Sequence, residues 1–326
     1  MAGGADRIKD KKPLKKRVKE FVKNIFDALT YGLFLAFKRL LLTVSHNTAR
    51  KFMRNMGYVW YWVDSHHRNM ALHNLRIAFS AEKSPGEIRE ILLNHFLHLA
   101  ETFADLVRSG EMTRENRDKY FIYENDGWIL EEVHRVVGTK RAVIAISAHL
   151  GSQEMLVGHL LKWGCGREYI VAKKIDNPYL NRYVQGQREL LGVRVIPDRH
   201  HRKEIIKRLQ DGDVLVFVVD QRAGYDDGIR VNFFGEPVCA HKGVAQMAAE
   251  FNAYLVPIFP IKSDEGRYRL IYGDNIQLQN TGDKAADTRA NVQLIQSVIE
   301  KMVRQYPEQW FWVHNRWRDG EGAPLE

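Results

Sequence analysis

Residues 141–155 read RAVIAISAHLGSQEM, and they indicate what kind of fold to expect. Ala142 to Ser147 is apolar almost throughout, the pattern of a central strand buried on both faces of a parallel sheet. Gly151 permits a turn after it. Ser152 is a natural N-cap for a helix carrying Glu154, Met155, Leu156 and Leu160. A strand, a turn and a helix in succession predict one βα unit, with His149 carried to the turn beyond the strand's carboxyl end. In open α/β sheets that edge is where ligands usually bind.

The alternation continues downstream. Short β-branched runs fall at 168–172 (EYIVA), 193–196 (VRVI), 213–220 (DVLVFVVD), 253–261 (AYLVPIFPI) and 268–273 (YRLIYG), and helix candidates lie near 152–162, 177–191, 200–210, 240–252 and 286–305. Strands alternating with helices of 10–15 residues predict an α/β fold, a largely parallel mixed sheet flanked by helices. Upstream, His46 to about Gly110 reads as helical. Ser84, Pro85 and Glu87 form a capping box before an apolar-periodic run. The expected organisation is a basic amphipathic segment over 1–45 and one folded domain over 46–326, helical over 46–119 and α/β over 120–326.

The 326 residues carry a net charge of +9, unevenly placed. Residues 1–20 hold eight Lys/Arg (Arg7, Lys9, Lys11, Lys12, Lys15, Lys16, Arg17, Lys19) against Asp6, Asp10 and Glu20, a surplus of five. No nucleic-acid motif accompanies that charge, so a nucleic-acid partner is not expected. Cys165 and Cys239 are too few and too far apart for a disulfide scaffold or a Cys-ligated metal. No small-residue cleavage site follows the N-terminal apolar run, so it does not read as a signal peptide. Its longest uncharged stretch, Ala28 to Phe37, is ten residues, about half of what a spanning helix needs. Phe21, Ile25, Leu29, Leu33 and Phe37 recur every four residues, widened by Val22, Phe26 and Leu40. A helix basic at its start with such a face suits the plane of an anionic membrane surface. The alternative is a helix packed on its own domain.

His149 and Glu154 are the candidate chemistry. On a single helix, five steps of 100° would put them about 140° apart. With the histidine on the turn and the glutamate in the first helical turn, the carboxylate can approach the imidazole, fix its tautomer and stabilise the imidazolium. A histidine so held is a general base for a hydroxyl; a structural histidine is the alternative. The nearby Gly–Ser pair is not a G-x-S-x-G nucleophile elbow. Glu154 and His159 do not form H-E-x-x-H, so neither a metal nor another cofactor is expected.

The residues around the pair carry a resemblance. NLRIAFS (74–80), ISAHLGSQEM (146–155), KKIDNPYLNRYVQGQRELLG (173–192), VVDQRAG (218–224), VNFFGEP (231–237) and FWVHNRWR (311–318) are similar, in order and spacing, to motifs of the bacterial lipid A late acyltransferases. These are the lauroyl/myristoyl transferases with a His-x4-Asp/Glu motif. The likeness runs roughly from Arg68 to Arg318. It implies an acyltransferase domain over 46–326. The implied reaction moves a fatty acyl chain from acyl carrier protein to a hydroxyl of a lipid acceptor, foremost a lipid A precursor, at the cytoplasmic face of the inner membrane. His149 would be the base and Glu154 its orienter. The family's H-F-G-N-W-E is H-L-G-S-Q-E here, so the aromatic neighbours of the pair are replaced. Lys173 or Lys174 stands where an arginine usually precedes D-N-P, a point charge in place of a bidentate fork.

Further substrate-binding candidates follow from the same blocks. Asp220 and Gln221 would line the site from a neighbouring strand end. Phe233, Phe234 and Gly235 would wall an acyl groove or else sit in the core. Arg188 and Lys173 would hold a phosphate. The polar stretch DRHHRKE (198–204) reads as a solvated helix start. His314, Arg316 and Arg318 would meet lipid or phosphate. Acylation of another lysolipid or glycolipid, thioester hydrolysis, and a non-catalytic lipid-binding protein on the same fold are the rival readings.

Overall fold

The computed structural model describes residues 14–113, 115–123, 127–160, 164–165, 167–198, 201–224 and 226–318. Arg7, Lys9, Lys11, Lys12, Arg199 and His200, and the side chains of Lys16, Arg17 and His159, lie outside the described residues. The chain runs α1 (Leu14–Leu42), α2 (His46–Val63), α3 (Ser65–Phe79), α4 (Pro85–Arg108), β1 (Phe121–Ile122), α5 (Gly127–Gly138), β2 (Val143–Ser147), α6 (Gln153–Leu160), β3 (Glu168–Ala172), α7 (Pro178–Leu190), β4 (Arg194–Pro197), α8 (Arg202–Gln210), β5 (Val214–Val218), β6 (Gly228–Phe233), β7 (Glu236–His241), α9 (Gly243–Glu250), β8 (Tyr254–Lys262), β9 (Tyr268–Tyr272) and α10 (Lys284–Gln305).

Seven strands form one sheet in the order β1-β9-β8-β2-β5-β3-β4, parallel except for the β8–β9 pair. This is the mixed, largely parallel α/β layer expected. All six strands read from the sequence are present, each within two residues of its expected limits. β2 is buried along its whole length between β5 and β8, which is why its sequence is apolar at every position. Three elements escaped the sequence reading: β1, α5 and the β6–β7 hairpin. That hairpin turns on Phe234 and Gly235, both with positive φ (55° and 78°). Such a two-residue turn usually announces itself as Asn-Gly, and a phenylalanine in first place hides it.

Helices α2 and α4 form the main helix pair beside the sheet. At Gly57 an added Cβ would stand 2.9 Å from the Leu97 Cα, so only glycine permits the close crossing. α4 is fastened to the sheet by buried charge. Lys262 of β8 lies 2.9 Å from Asp105 and 3.0 Å from Glu101, while Tyr268 and His46 also hydrogen-bond Asp105. Burial opposes the charge on Asp105, yet Lys262 and these hydrogen bonds hold its carboxyl well below the usual range.

Helix α1 has 29 residues and is therefore about 43 Å long. It uses one narrow seam against the domain. The Asp27 carbonyl accepts from the Asn177 side chain, Tyr31 stacks on Tyr179, Phe34 meets Tyr183 and Phe103, and Leu41 is buried. At 100° per residue, Val18, Val22, Ile25, Leu29, Leu33 and Leu40 fall within about 80° of arc on the opposite side. All six are exposed, Leu33 at 73%, and Phe21 and Phe26 widen the same face. Packing on its own domain therefore does not account for this stripe. Phe37 is the exception, turned inward against Phe52 and Phe103. Among the described residues no helix is long and apolar enough to cross a membrane.

Candidate active site

The turn after β2 is built so that His149 cannot slide along the chain. Leu150 bridges to Trp310, Gly151 donates its N–H to the Gln309 carbonyl (3.0 Å), and Phe311 donates to the His149 carbonyl (2.9 Å). Gly151 has φ +69°, and a Cβ there would lie 1.7 Å from the Pro260 carbonyl oxygen. Both the backbone angle and the close approach require glycine.

His149 is held by Asp220, two residues beyond β5. The ring Nδ1–H donates to Asp220 Oδ1 (2.8 Å), and the His149 backbone N–H donates to Oδ2 (2.9 Å). A third donor, the Trp310 indole N–H, reaches Oδ2 at 2.7 Å. The Asp220 side chain is 2% exposed and that of His149 33%, so the acid is sealed while the imidazole faces a space. With Nδ1–H committed to the carboxylate, Nε2 carries the lone pair. It accepts a long 3.3 Å contact from the Gln221 amide. Burial pushes the imidazole down, but the charge of Asp220 and its hydrogen bond outweigh that, and His149 is raised above its ordinary 6.5. Burial likewise opposes the charge on Asp220, but His149 and the other donors hold the carboxyl below its usual value.

The sequence expectation for Glu154 needs correction. Its carboxylate is engaged by Arg188 of α7, with Nε to Oε2 at 3.1 Å and Nη2 to Oε1 at 2.5 Å. The carboxylate that meets the His149 ring is that of Asp220. The reason is geometric: β2 and β5 are hydrogen-bonded neighbours in register from Val143–Val214 to Ser147–Val218, so residues just past their ends meet directly. Glu154 enters α6 and meets α7. Arg188, expected to hold a phosphate, is thereby committed to a carboxylate. Lys173 is exposed just after β3, on the same carboxyl edge of the sheet but two strands away from β2.

Phe233 and Phe234 are core residues, a second correction. They are 0% and 7% exposed and pack with Phe79, Trp310, Trp312 and Trp317. Gly235 completes their hairpin turn. The C-terminal aromatic-basic stretch is likewise folded inward up to Trp317, with Arg318 exposed at its end. Arg316 is 1% exposed and donates to the Cys239 carbonyl and the Gln296 side chain. His314 accepts the Arg222 backbone N–H at 3.2 Å. Burial and nearby cations lower its pKa.

Above His149 opens a cavity of about 600 Å³, lined by Phe37 of α1, Met53, Met56 and Trp60 of α2, Leu99, Phe103 and Leu106 of α4, and at its polar end by His149, Gln153, Glu154 and Phe311. Phe37 was read from the sequence as part of the outer stripe of α1, and the apolar liners from α2 and α4 were not singled out, because helical apolar positions facing a cavity look like positions facing a core. Its size is within the range of small-molecule pockets. Among the described residues no group of three or more His, Cys, Asp or Glu side chains is placed to hold a metal ion.

The family model of the bacterial lipid A biosynthesis acyltransferases matches residues 19–319. The chain is 26% identical over 200 residues to the lipid A biosynthesis lauroyltransferase of Escherichia coli K12, an alignment covering 60% of this chain and 62% of that protein. It is 22% identical over 252 residues to the lipid A biosynthesis palmitoleoyltransferase of the same organism, covering 77% and 78%. A lipid A biosynthesis acyltransferase of Haemophilus influenzae is 24% identical over 142 residues, covering 42% and 43%.

The Glu154–Arg188 pair is mostly buried, each side chain 14% exposed. Removing one partner should therefore cost about 3 kcal/mol. In a double-mutant cycle followed by urea unfolding, Arg188→Met and Glu154→Gln should couple by about 1–3 kcal/mol. Additive losses would show that the pair does not act as a unit.

Proposed function

The chain belongs to the family of bacterial lipid A biosynthesis acyltransferases, and from that membership we propose that it moves a fatty acyl chain from the thioester of acyl carrier protein to a hydroxyl of a lipid A precursor. His149 Nε2 takes the hydroxyl proton as the oxygen attacks the thioester carbonyl. Asp220 stabilises the imidazolium that forms and keeps Nε2 aimed at the reacting atoms. Collapse of the tetrahedral intermediate expels the carrier's thiolate, which takes the proton back from His149. The single observation that carries this reading is the combination of a carboxylate-held imidazole with an apolar cavity opening directly above it. An aliphatic chain in that cavity would keep water from the thioester, which favours transfer over hydrolysis. The Glu154–Arg188 pair at the cavity's polar end orders α6 against α7 and so shapes the entrance.

The reaction belongs at an anionic membrane surface, on the cytoplasmic face of the inner membrane in the family reading. What supports this is the exposed apolar face of α1, with Lys19 and Arg39 at its margins. Basic side chains near anionic lipid contribute about 1 kcal/mol each, less at high salt. The apolar face supplies a salt-insensitive remainder.

Labelled acyl carrier protein, incubated with the enzyme and a panel of lipid acceptors, should transfer its label to the lipid A precursor. His149→Ala should reduce turnover about 10²–10⁴-fold with an unchanged circular dichroism spectrum. Release of free fatty acid alone would make the protein a thioesterase, and an active His149→Ala variant would remove the assigned base.

Because Leu29 and Leu33 are exposed, Leu29→Asp with Leu33→Asp should leave the melting temperature in place. The same pair should sharply weaken sedimentation with vesicles of phosphatidylethanolamine and phosphatidylglycerol. High salt should release only part of the wild-type protein. Unchanged vesicle binding by the double variant would exclude α1 as the anchor.

A further inference from the structure

The aromatic C-terminal segment is more than a lid of core residues over the hairpin. We propose that residues 309–311 are a strap built into the catalytic apparatus, with Trp310 as the positioning residue that fixes the Asp220 carboxylate against His149. This rests on the reading of His149 as the base.

Asp220 accepts three hydrogen bonds. Of its three donors, two belong to His149 itself, the ring Nδ1–H and the backbone N–H. Those two cannot fix the pair relative to the rest of the protein, because the acid and the histidine could rotate together. The Trp310 indole N–H, 90 residues from Asp220 in the chain, supplies an external reference. An indole has one donor and no acceptor, so its direction is set wholly by how the ring is packed. Here the ring is 1% exposed. It stands perpendicular to Trp312 at a centroid distance of 4.6 Å, with Phe233 at 5.6 Å and Trp317 at 6.1 Å. Such a ring cannot turn without displacing the cluster. The N–H therefore points at one place, and Asp220 Oδ2 occupies it.

The strap's backbone completes the arrangement. Phe311 N–H and Gln309 C=O bind the two flanks of the histidine turn, at His149 C=O and Gly151 N–H. The Gln309 side chain in turn accepts from the Lys262 N–H and donates to the Lys262 carbonyl, both at 2.9 Å. The turn is thereby tied to β8 through the strap. Phe311 lays its ring beside the imidazole at 6.0 Å, and His95 of α4, fully buried, lies against the backbone of Glu308 and Trp310. Core packing alone would ask for a large apolar ring at position 310. It would not ask for a donor aimed at a buried carboxylate.

Trp310→Phe keeps a large buried ring and removes only the donor. Trp312→Phe is the control, since Trp312 sits in the same cluster but gives its N–H to the Pro307 carbonyl. The readout is the titration of the His149 imidazole by NMR in the full-length protein, its signal identified by its absence in His149→Gln. Losing the Trp310 donor concentrates negative charge on the Asp220 carboxylate facing the imidazole. Trp310→Phe should therefore move the His149 titration upward by about half a pH unit or more, with kcat about 10–100-fold lower and KM within about twofold. Trp312→Phe should lower the melting temperature and leave the titration where it was. An unmoved titration in Trp310→Phe, or the same movement in both variants, would overturn the proposal. The titration needs no acceptor or donor substrate, so absence of acyl transfer with every acceptor would count against the function proposed above and not against the strap.

Discussion

The structure depends on a single buried carboxylate. A charge 98% removed from solvent, as Asp220 is, destabilises a fold unless donors converge on it. Three do, from His149 twice and from Trp310. Meeting that demand brings together the turn after β2, the end of β5 and the C-terminal strap. It also selects the tautomer of His149, because a ring that donates through Nδ1 presents its lone pair at Nε2. What folding requires of Asp220 and what the proposed proton transfer would require of His149 are met by the same bonds.

A second buried charge holds the site's other half. Lys262, in the strand that carries the strap's anchor, pairs with Glu101 and Asp105 on α4, and Arg50 and Arg54 of α2 also pair with Glu101. That side of α4 is polar and fixed to β8. Its flank toward α1 and α2, with Leu99, Phe103 and Leu106, is apolar and faces a cavity. The helix can afford an unfilled face because the ion pairs on the other hold it in place. Phe37, near the end of the helix whose outer face is unpartnered, lines the same cavity. Helix α1, with its exposed apolar face, and the cavity are therefore parts of one helical layer.

The legible parts of this protein are those set by local period. Strand β2 could be read because burial on both faces makes every residue apolar, and the outer stripe of α1 because its members repeat every three to four residues. The position of His149 beyond a strand end was legible for the same reason. The partner of His149 was not. Glu154 lies five residues away but pairs with a guanidinium from α7 that is 34 residues distant. Nothing in the spacing reports that partner. Asp220 was identified as lining the site, but its direct pairing follows from β2 and β5 being neighbours in the sheet, which is a matter of strand order and not of motif. Phe233 and Phe234 show the same limit from the other side, since an aromatic pair beside a glycine is compatible with a groove wall or with a hairpin turn over a core.

The assignment of Asp220, and not Glu154, as the acid on His149 is tested most directly by the pH dependence of kcat/KM. The base is active when neutral, so the rate rises as pH climbs through the imidazole's pKa. In the wild type that acid limb should lie above 6.5, where Asp220 has raised it. Asp220→Asn removes the charge and leaves the burial, so the limb should move to lower pH while the maximal rate falls, by as much as about 10⁴-fold if the tautomer is lost. Glu154→Gln should leave the limb in place. A limb that moves in Glu154→Gln and stays in Asp220→Asn would contradict the account.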